Sequence, residues 1–205
     1  MFKAFIFDVD GTLIDTEKAA ISALQAVLSE KGKEYTKEEL AFAFGLPGVE
    51  SLKKLGIENP EEVQVEWAER MISDYSKDMQ LFDGIEKVLH KLAKQTVRLG
   101  IVTSKTREEY IEQFQEYNIH MLFEQAITAD DTEKHKPDPE PLKACLTRMH
   151  TEARDAVYIG DTLYDMHCAQ SAGVKFALAS WGTRSREEFV DADYILEKPK
   201  DILNL

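Results

Sequence analysis

Short apolar runs alternate with longer amphipathic stretches along this chain. Residues 3–8 form the first run, with Phe5, Ile6 and Phe7 together and Gly11 as punctuation, and they predict a strand buried on both faces. The period then changes. From Thr16, a candidate N-cap, Ala20, Ala23, Leu24, Val27 and Leu28 fall at i, i+3, i+4, i+7 and i+8, which predicts a helix ending at Gly32. Helical material continues from Tyr35 to Lys77 without a good strand, broken at 45–48 and 56–60, so an all-helical insertion is expected there. After Asp83-Gly84 another helix is predicted, with Ile85, Val88, Leu89 and Leu92 on one face.

Four apolar segments follow, at 97–102, 125–128, 156–159 and 174–179, separated by helical patterns at 106–116, 140–149 and 163–172. Strand and helix therefore alternate, which is the signature of right-handed βαβ units and a parallel sheet. The expected fold class is α/β, a doubly wound core made by residues 1–15 and 81–205 with a helical insertion at 16–80. Open sheets of this kind carry their sites beyond the carboxyl ends of the strands.

Composition narrows the function. A chain of 205 residues, 43% of them hydrophobic, can bury a full core. Its 38 acidic residues against 25 basic ones give a net charge of −13, which works against binding nucleic acid or anionic membranes. Any phosphate must then be met by a local site. Cys145 and Cys168 lie in helical stretches and read as buried thiols rather than a disulfide framework. The first apolar run meets Asp8 and Asp10 too early for a signal peptide and no run approaches a membrane span, so a cytoplasmic location is expected. His90, His120, His135, His150 and His167 lack the spacing of a metal site.

Four segments after predicted strands carry candidate chemistry. Asp8-Val9-Asp10-Gly11-Thr12 offers two carboxylates for two jobs: Asp8 to attack phosphorus, and Asp10 to protonate the leaving oxygen and later deprotonate water. An Asx turn is the bland alternative. In Gly100-Ile-Val-Thr-Ser-Lys105, Thr103 and Ser104 suit phosphate oxygens, and either would also cap the helix starting near Thr106. In Lys134-His-Lys-Pro-Asp-Pro139 the prolines stiffen a loop that can hold Lys136 beside the carboxylates, where it would neutralise a phosphoryl oxygen; Lys134 precedes the rigid part and is the weaker candidate. In Gly160-Asp161-Thr-Leu-Tyr-Asp165 the two carboxylates can both address a strand end if the helix begins near Thr162, against the plainer reading of Asp161 as N-cap and Asp165 as exposed. Oxygen-only ligands suit Mg²⁺ rather than zinc.

The order of these motifs, D-x-D-G-T, Thr after a strand, K-P-D-P and G-D-x-x-x-D, resembles the haloacid dehalogenase-like hydrolases over essentially the whole chain. The resemblance implies a Rossmann-like core with a helical cap at 16–80. It also implies an aspartyl-phosphate mechanism: Asp8 as nucleophile and metal ligand, Asp10 as acid/base and ligand through its carbonyl, Thr103 and Lys136 on phosphate, and Asp161 and Asp165 on or beside Mg²⁺. Asp10 points to phosphoryl transfer rather than dehalogenation. Asp15-Thr-Glu17, Gly-Leu-Pro at 45–47, Asp130-Asp131 and Ser180-Trp181-Gly182 look most like phosphoglycolate phosphatases and related pyrophosphatases. No arginine stands near Gly48 or Val49, where relatives place one, so Lys53 or Lys54 would have to substitute unless they are simply exposed. The expected function is hydrolysis of a small phosphorylated metabolite, with 2-phosphoglycolate as the candidate, by a monomer or homodimer. The alternatives are a pyrophosphatase, a sugar-phosphate mutase resembling β-phosphoglucomutase, and last a non-catalytic binding protein.

Overall fold

A computed structural model describes residues 2–44, 48–114, 117, 119–183 and 185–205. The first strand, β1, is Ala4–Phe7, and β2 is Ile14–Asp15. Helices α1 (Glu17–Glu30), α2 (Lys37–Leu40), α3 (Gly48–Lys54) and α4 (Pro60–Tyr75) come next, with no strand among the described residues between them. The remainder runs β3 (Gln80–Leu81), α5 (Ile85–Leu92), β4 (Arg98–Val102), α6 (Arg107–Phe114), β5 (Gln125–Ile127), α7 (Glu140–Arg148), β6 (Ala156–Gly160), α8 (Leu163–Ala172), β7 (Lys175–Ala179) and β8 (Tyr194–Leu196).

Two compact units result, one of residues 1–14 and 81–205 and the other of residues 15–80. In the first, six strands form one sheet in the order β5-β4-β1-β6-β7-β8, with every pairing parallel. This is the α/β parallel sheet that the alternation of apolar runs and helical patterns predicts. All four residues of β1 are buried, as a central parallel strand covered on both faces requires. The chain steps from β1 outward to β4 and β5, then returns to β6 on the other side of β1 and steps outward again. The direction of winding thus reverses between β1 and β6, and their carboxyl ends open a crevice of the kind where ligands bind. Asp8 follows β1 and Asp161 follows β6.

The second unit closes a core of its own from α1 residues Ala23, Leu24, Val27 and Leu28, together with Leu40, Leu52, Val63, Trp67 and Met71. Trp67 Nε1 donates to the Ala20 carbonyl at 2.8 Å, so the large indole is buried with its one polar atom satisfied. Charged groups here lie outside: Lys53 reaches Glu61 at 3.5 Å and Lys54 reaches Glu50 at 3.7 Å, all four side chains being largely exposed.

Three local expectations change. Thr16 flanks α1, but its side chain makes no capping hydrogen bond. The α6 start is capped by Thr106, whose Oγ1 accepts from Glu109 N while Glu109 Oε2 accepts from Thr106 N, so neither Thr103 nor Ser104 is spent on that helix. The edge strand β8 lies outside the predicted segments: its apolar run, Tyr194-Ile-Leu196, is only three residues long, and two of the three are exposed. Residues 45–47, one of the motifs tied to the resemblance, lie outside the described residues, as do 115 and 116 of the predicted helix at 106–116. Cys145 and Cys168 are free and buried, and burial pushes both thiols up to about 12. Among the described residues no helix is long and apolar enough to cross a membrane.

Candidate active site

The crevice at the carboxyl ends of β1 and β6 gathers the acidic motifs. Asp8 continues β1, its N–H bonded to the Ile159 carbonyl at 2.9 Å, and its side chain is buried. The backbone then turns at Gly11, where φ is +74° and an added Cβ would stand 2.2 Å from Asp161 Oδ2, so only glycine fits this approach. The turn returns Thr12 toward β6, and Thr12 Oγ1 donates to Asp161 Oδ1 at 2.8 Å. Trp181 braces the same turn from the β7 end by donating its Nε1 to the Thr12 carbonyl at 3.0 Å. Behind it, a Cβ on Gly182 would lie 1.7 Å from the Gly11 carbonyl oxygen, which leaves no room for a side chain.

Helix α8 starts at the end of β6 with a reciprocal cap. Thr162 Oγ1 accepts from Asp165 N, and Asp165 Oδ2 accepts from Thr162 N at 3.0 Å and from Thr162 Oγ1 at 2.6 Å. Thr162 rather than Asp161 is therefore the cap, and Asp165 is wholly buried rather than exposed. The plainer reading of this segment fails on both counts.

Lys136 joins the acidic groups from its loop. Its Nζ lies 2.9 Å from Asp8 Oδ1 and 2.7 Å from Asp165 Oδ1, with a longer approach of 3.3 Å to the Tyr158 hydroxyl. Tyr158, buried in β6, has its hydroxyl 2.9 Å from both Asp165 Oδ1 and the Val102 carbonyl, so its single proton serves one of the two at a time. Lys134, by contrast, pairs with Asp138 at the surface. Thr103 is buried after β4, with Oγ1 accepting from Lys105 N at 3.3 Å, whereas Ser104 is exposed. Lys105 turns inward, only 8% exposed, and its Nζ meets Asp10 Oδ2 at 2.8 Å.

Charge does not balance here. Asp8, Asp10, Asp161 and Asp165 face two ammonium groups, Lys105 and Lys136. Burial raises the Asp8 carboxyl to about 7, helped by the charges of Asp165 and Asp10 and opposed by Lys136. Burial, with the charges of Asp165 and Asp8, holds Asp161 well above the carboxylate range against the hydrogen bond from Thr12. Burial pulls the Lys136 ammonium down, but Asp165 and Asp8 outweigh it and keep it charged. One cation between several buried carboxylates is fully held while the acids stay under-compensated.

Ligand atoms of Asp8, Asp161 and Asp165 lie within 4.8 Å of one another. An all-oxygen, buried, surplus-negative trio fits a hard divalent cation such as Mg²⁺. The three members differ in what they can offer. Asp165 has both oxygens engaged, Oδ2 twice by Thr162 and Oδ1 by Lys136 and, when its proton turns that way, by Tyr158, which leaves at most one of the four acceptor positions of a carboxylate. Asp8 is engaged at Oδ1 by Lys136 and Asp161 at Oδ1 by Thr12. Asp10 Oδ1 is buried with no partner among the described residues.

Motif reasoning passed over Thr12, Lys105 and Tyr158. A tyrosine inside a strand buried throughout was a readable signal, since a buried hydroxyl must find a partner. Lys105 carried none, because lysines after strands are usually solvated.

Similarity runs the length of the chain. The pyrophosphatase PpaX of Halalkalibacterium halodurans is 28% identical over 204 residues, 98% of this chain and 94% of the relative. PpaX of Bacillus velezensis is also 28% identical, over 205 residues. Among solved structures, a candidate phosphoglycolate phosphatase of Lactobacillus plantarum superposes with a TM-score of 0.93 at 32% identity, covering 100% of this chain and 99% of that one. A candidate haloacid dehalogenase-like hydrolase of Bacteroides fragilis gives 0.89 at 27% identity, covering 97% and 98%. The family's sequence profile matches residues 5–179, a span that takes in Asp8, Asp10, Thr103, Lys136, Asp161 and Asp165, and the chain belongs to the haloacid dehalogenase-like hydrolases.

Proposed function

We propose that the protein is a Mg²⁺-dependent phosphatase acting on a small phosphate ester through a phosphorylated Asp8. The observation that carries this reading is the Lys136 ammonium set 2.9 Å from Asp8 and locked from behind by Asp165. A cation on the nucleophile's own carboxylate lowers the repulsion an anionic phosphoryl group would meet there. Asp8 and Asp161, with the Asp10 backbone carbonyl, would hold Mg²⁺, which supplies the positive charge that the buried trio lacks. Asp165 then acts through Lys136 and Tyr158 rather than as a direct ligand, since its oxygens are already engaged.

In the first half-reaction Asp8 attacks phosphorus as the bond to the leaving oxygen breaks, and Asp10 gives that oxygen its proton. In the second, Asp10 takes a proton from water as the water oxygen attacks the phosphorus of the aspartyl-phosphate, releasing phosphate and restoring Asp8. Thr103, Ser104 and Lys136 receive the phosphoryl oxygens. The unit at 15–80 serves as the cap, where selectivity would reside.

The similarity to PpaX along the whole chain favours pyrophosphate as a second substrate reading, in which phosphate itself is the leaving group. Similarity to the Lactobacillus plantarum structure favours 2-phosphoglycolate. Phosphate release from a panel containing both, with Mg²⁺ or EDTA, decides between them. Transfer of phosphate within glucose 1-phosphate would instead indicate a mutase, and no turnover on any member would overturn the enzymatic reading.

A further inference from the structure

Lys105 is buried, yet the reaction as described gives it no task. Its backbone is clamped on both sides: its N–H donates to Thr103 Oγ1 at 3.3 Å, and its carbonyl accepts from Ala129 N at 2.7 Å. From that fixed origin the side chain runs inward and ends 2.8 Å from Asp10 Oδ2. A lysine only 8% exposed needs a counter-charge, and Asp10 is the acid that meets it. Asp10 has the opposite character: its side chain is 31% exposed, so rotamers leading out to solvent compete with the inward one. The ion pair takes one carboxylate oxygen and leaves the other, Oδ1, buried and without a partner among the described residues. Inside a site, an unpaired acceptor is the atom that a substrate oxygen or water would occupy.

We infer that Lys105 is a positioning residue for the reaction: by holding Oδ2 it fixes the rotamer of Asp10 that aims Oδ1 at the leaving-group oxygen. This rests on the acid/base role of Asp10 proposed above. Losing the anchor lets Asp10 swing outward, and misplacement of a reacting group by about 1 Å costs on the order of 100-fold. The loss should follow the leaving group. A nitrophenolate departs without a proton, whereas a phenolate gains much from one.

The test compares kcat/KM for phenyl phosphate and p-nitrophenyl phosphate with Mg²⁺ at saturation, because kcat/KM reports the step that expels the alcohol. Lys105→Met is expected to lose on the order of 10-fold or more in excess on phenyl phosphate, with Lys105→Arg restoring most of it. If Lys105→Met does not fold, Lys105→Gln supplies the same ratio. Equal losses on both substrates, or no loss, would overturn the inference. Asp10→Asn run alongside separates the two levels. A leaving-group dependence in Asp10→Asn that is missing in the Lys105 variants rejects the anchor alone, and its absence in Asp10→Asn rejects the acid/base reading and the anchor with it.

Discussion

The two units use charge in opposite ways. In the helical unit, Lys53 and Lys54 pair with Glu61 and Glu50 at the surface, and the interior is apolar around Trp67. In the α/β unit, four carboxylates and two lysines sit at one end of the sheet, most of them buried, and the negative groups are in excess. Exposed pairs contribute little to stability and carry little information. Buried, unequal charge is costly to maintain, and a fold keeps it where a ligand of opposite sign completes it. The difference separates a region that can be read for chemistry from one that can be read only for packing.

The sharpest way to break this contrast is to remove the central cation. Lys136→Met strips Asp8 and Asp165 of their shared partner, and is expected to destabilise the protein by about 3–5 kcal/mol and to lower phosphate release by on the order of 10²–10³-fold. Denaturant titration and initial rates measure the two effects, and a variant both stable and active would undo the contrast. In the helical unit the corresponding large loss comes from packing. Trp67→Ala removes a buried indole and its bond to Ala20, and is expected to cost about 3–5 kcal/mol, read as a lower melting temperature.

A smaller effect follows from pH. The Asp8 carboxyl rises to about 7 in the fold from an ordinary value near 3.8, so between those values the folded state binds more protons than the unfolded chain. Its contribution therefore weakens as pH rises through that window. Asp161 shifts in the same direction. In metal-free protein, Asp8→Asn should gain melting temperature relative to wild type at about pH 8 and gain less at about pH 5. Added Mg²⁺ should stabilise wild type more at the higher pH, where protons no longer compete for the carboxylates. A pH-independent difference would mean that Asp8 carries no buried excess charge. At the bottom of the scale, Lys53→Ala and Lys54→Ala should leave the melting temperature unchanged within error.

Sequence pattern and structure agree where one physical demand dominates. β1 is legible because a strand buried on both faces must be apolar throughout, and the glycine at 11 because the chain approaches Asp161 too closely for a Cβ. The motifs announce Asp8, Asp10, Lys136, Asp161 and Asp165 as candidates, and the fold brings all five to one crevice. Illegible features depend on partners distant in sequence. Whether Asp165 is free to bind a cation depends on Tyr158 and Lys136, seven and twenty-nine residues away. Whether Lys105 is solvated depends on Asp10, at the end of another strand. β8 is hard to read because its apolar run is only three residues long, flanked by charged residues at 193 and 197.

Transfer of the phosphoryl group to Asp8 would be seen by intact-mass spectrometry of acid-quenched enzyme during turnover with Mg²⁺, followed by peptide mapping. One added phosphoryl group on the peptide containing Asp8, absent together with turnover in Asp8→Asn, is the expected result. Phosphate release that survives Asp8→Asn, or an adduct mapped to another residue, would contradict the account.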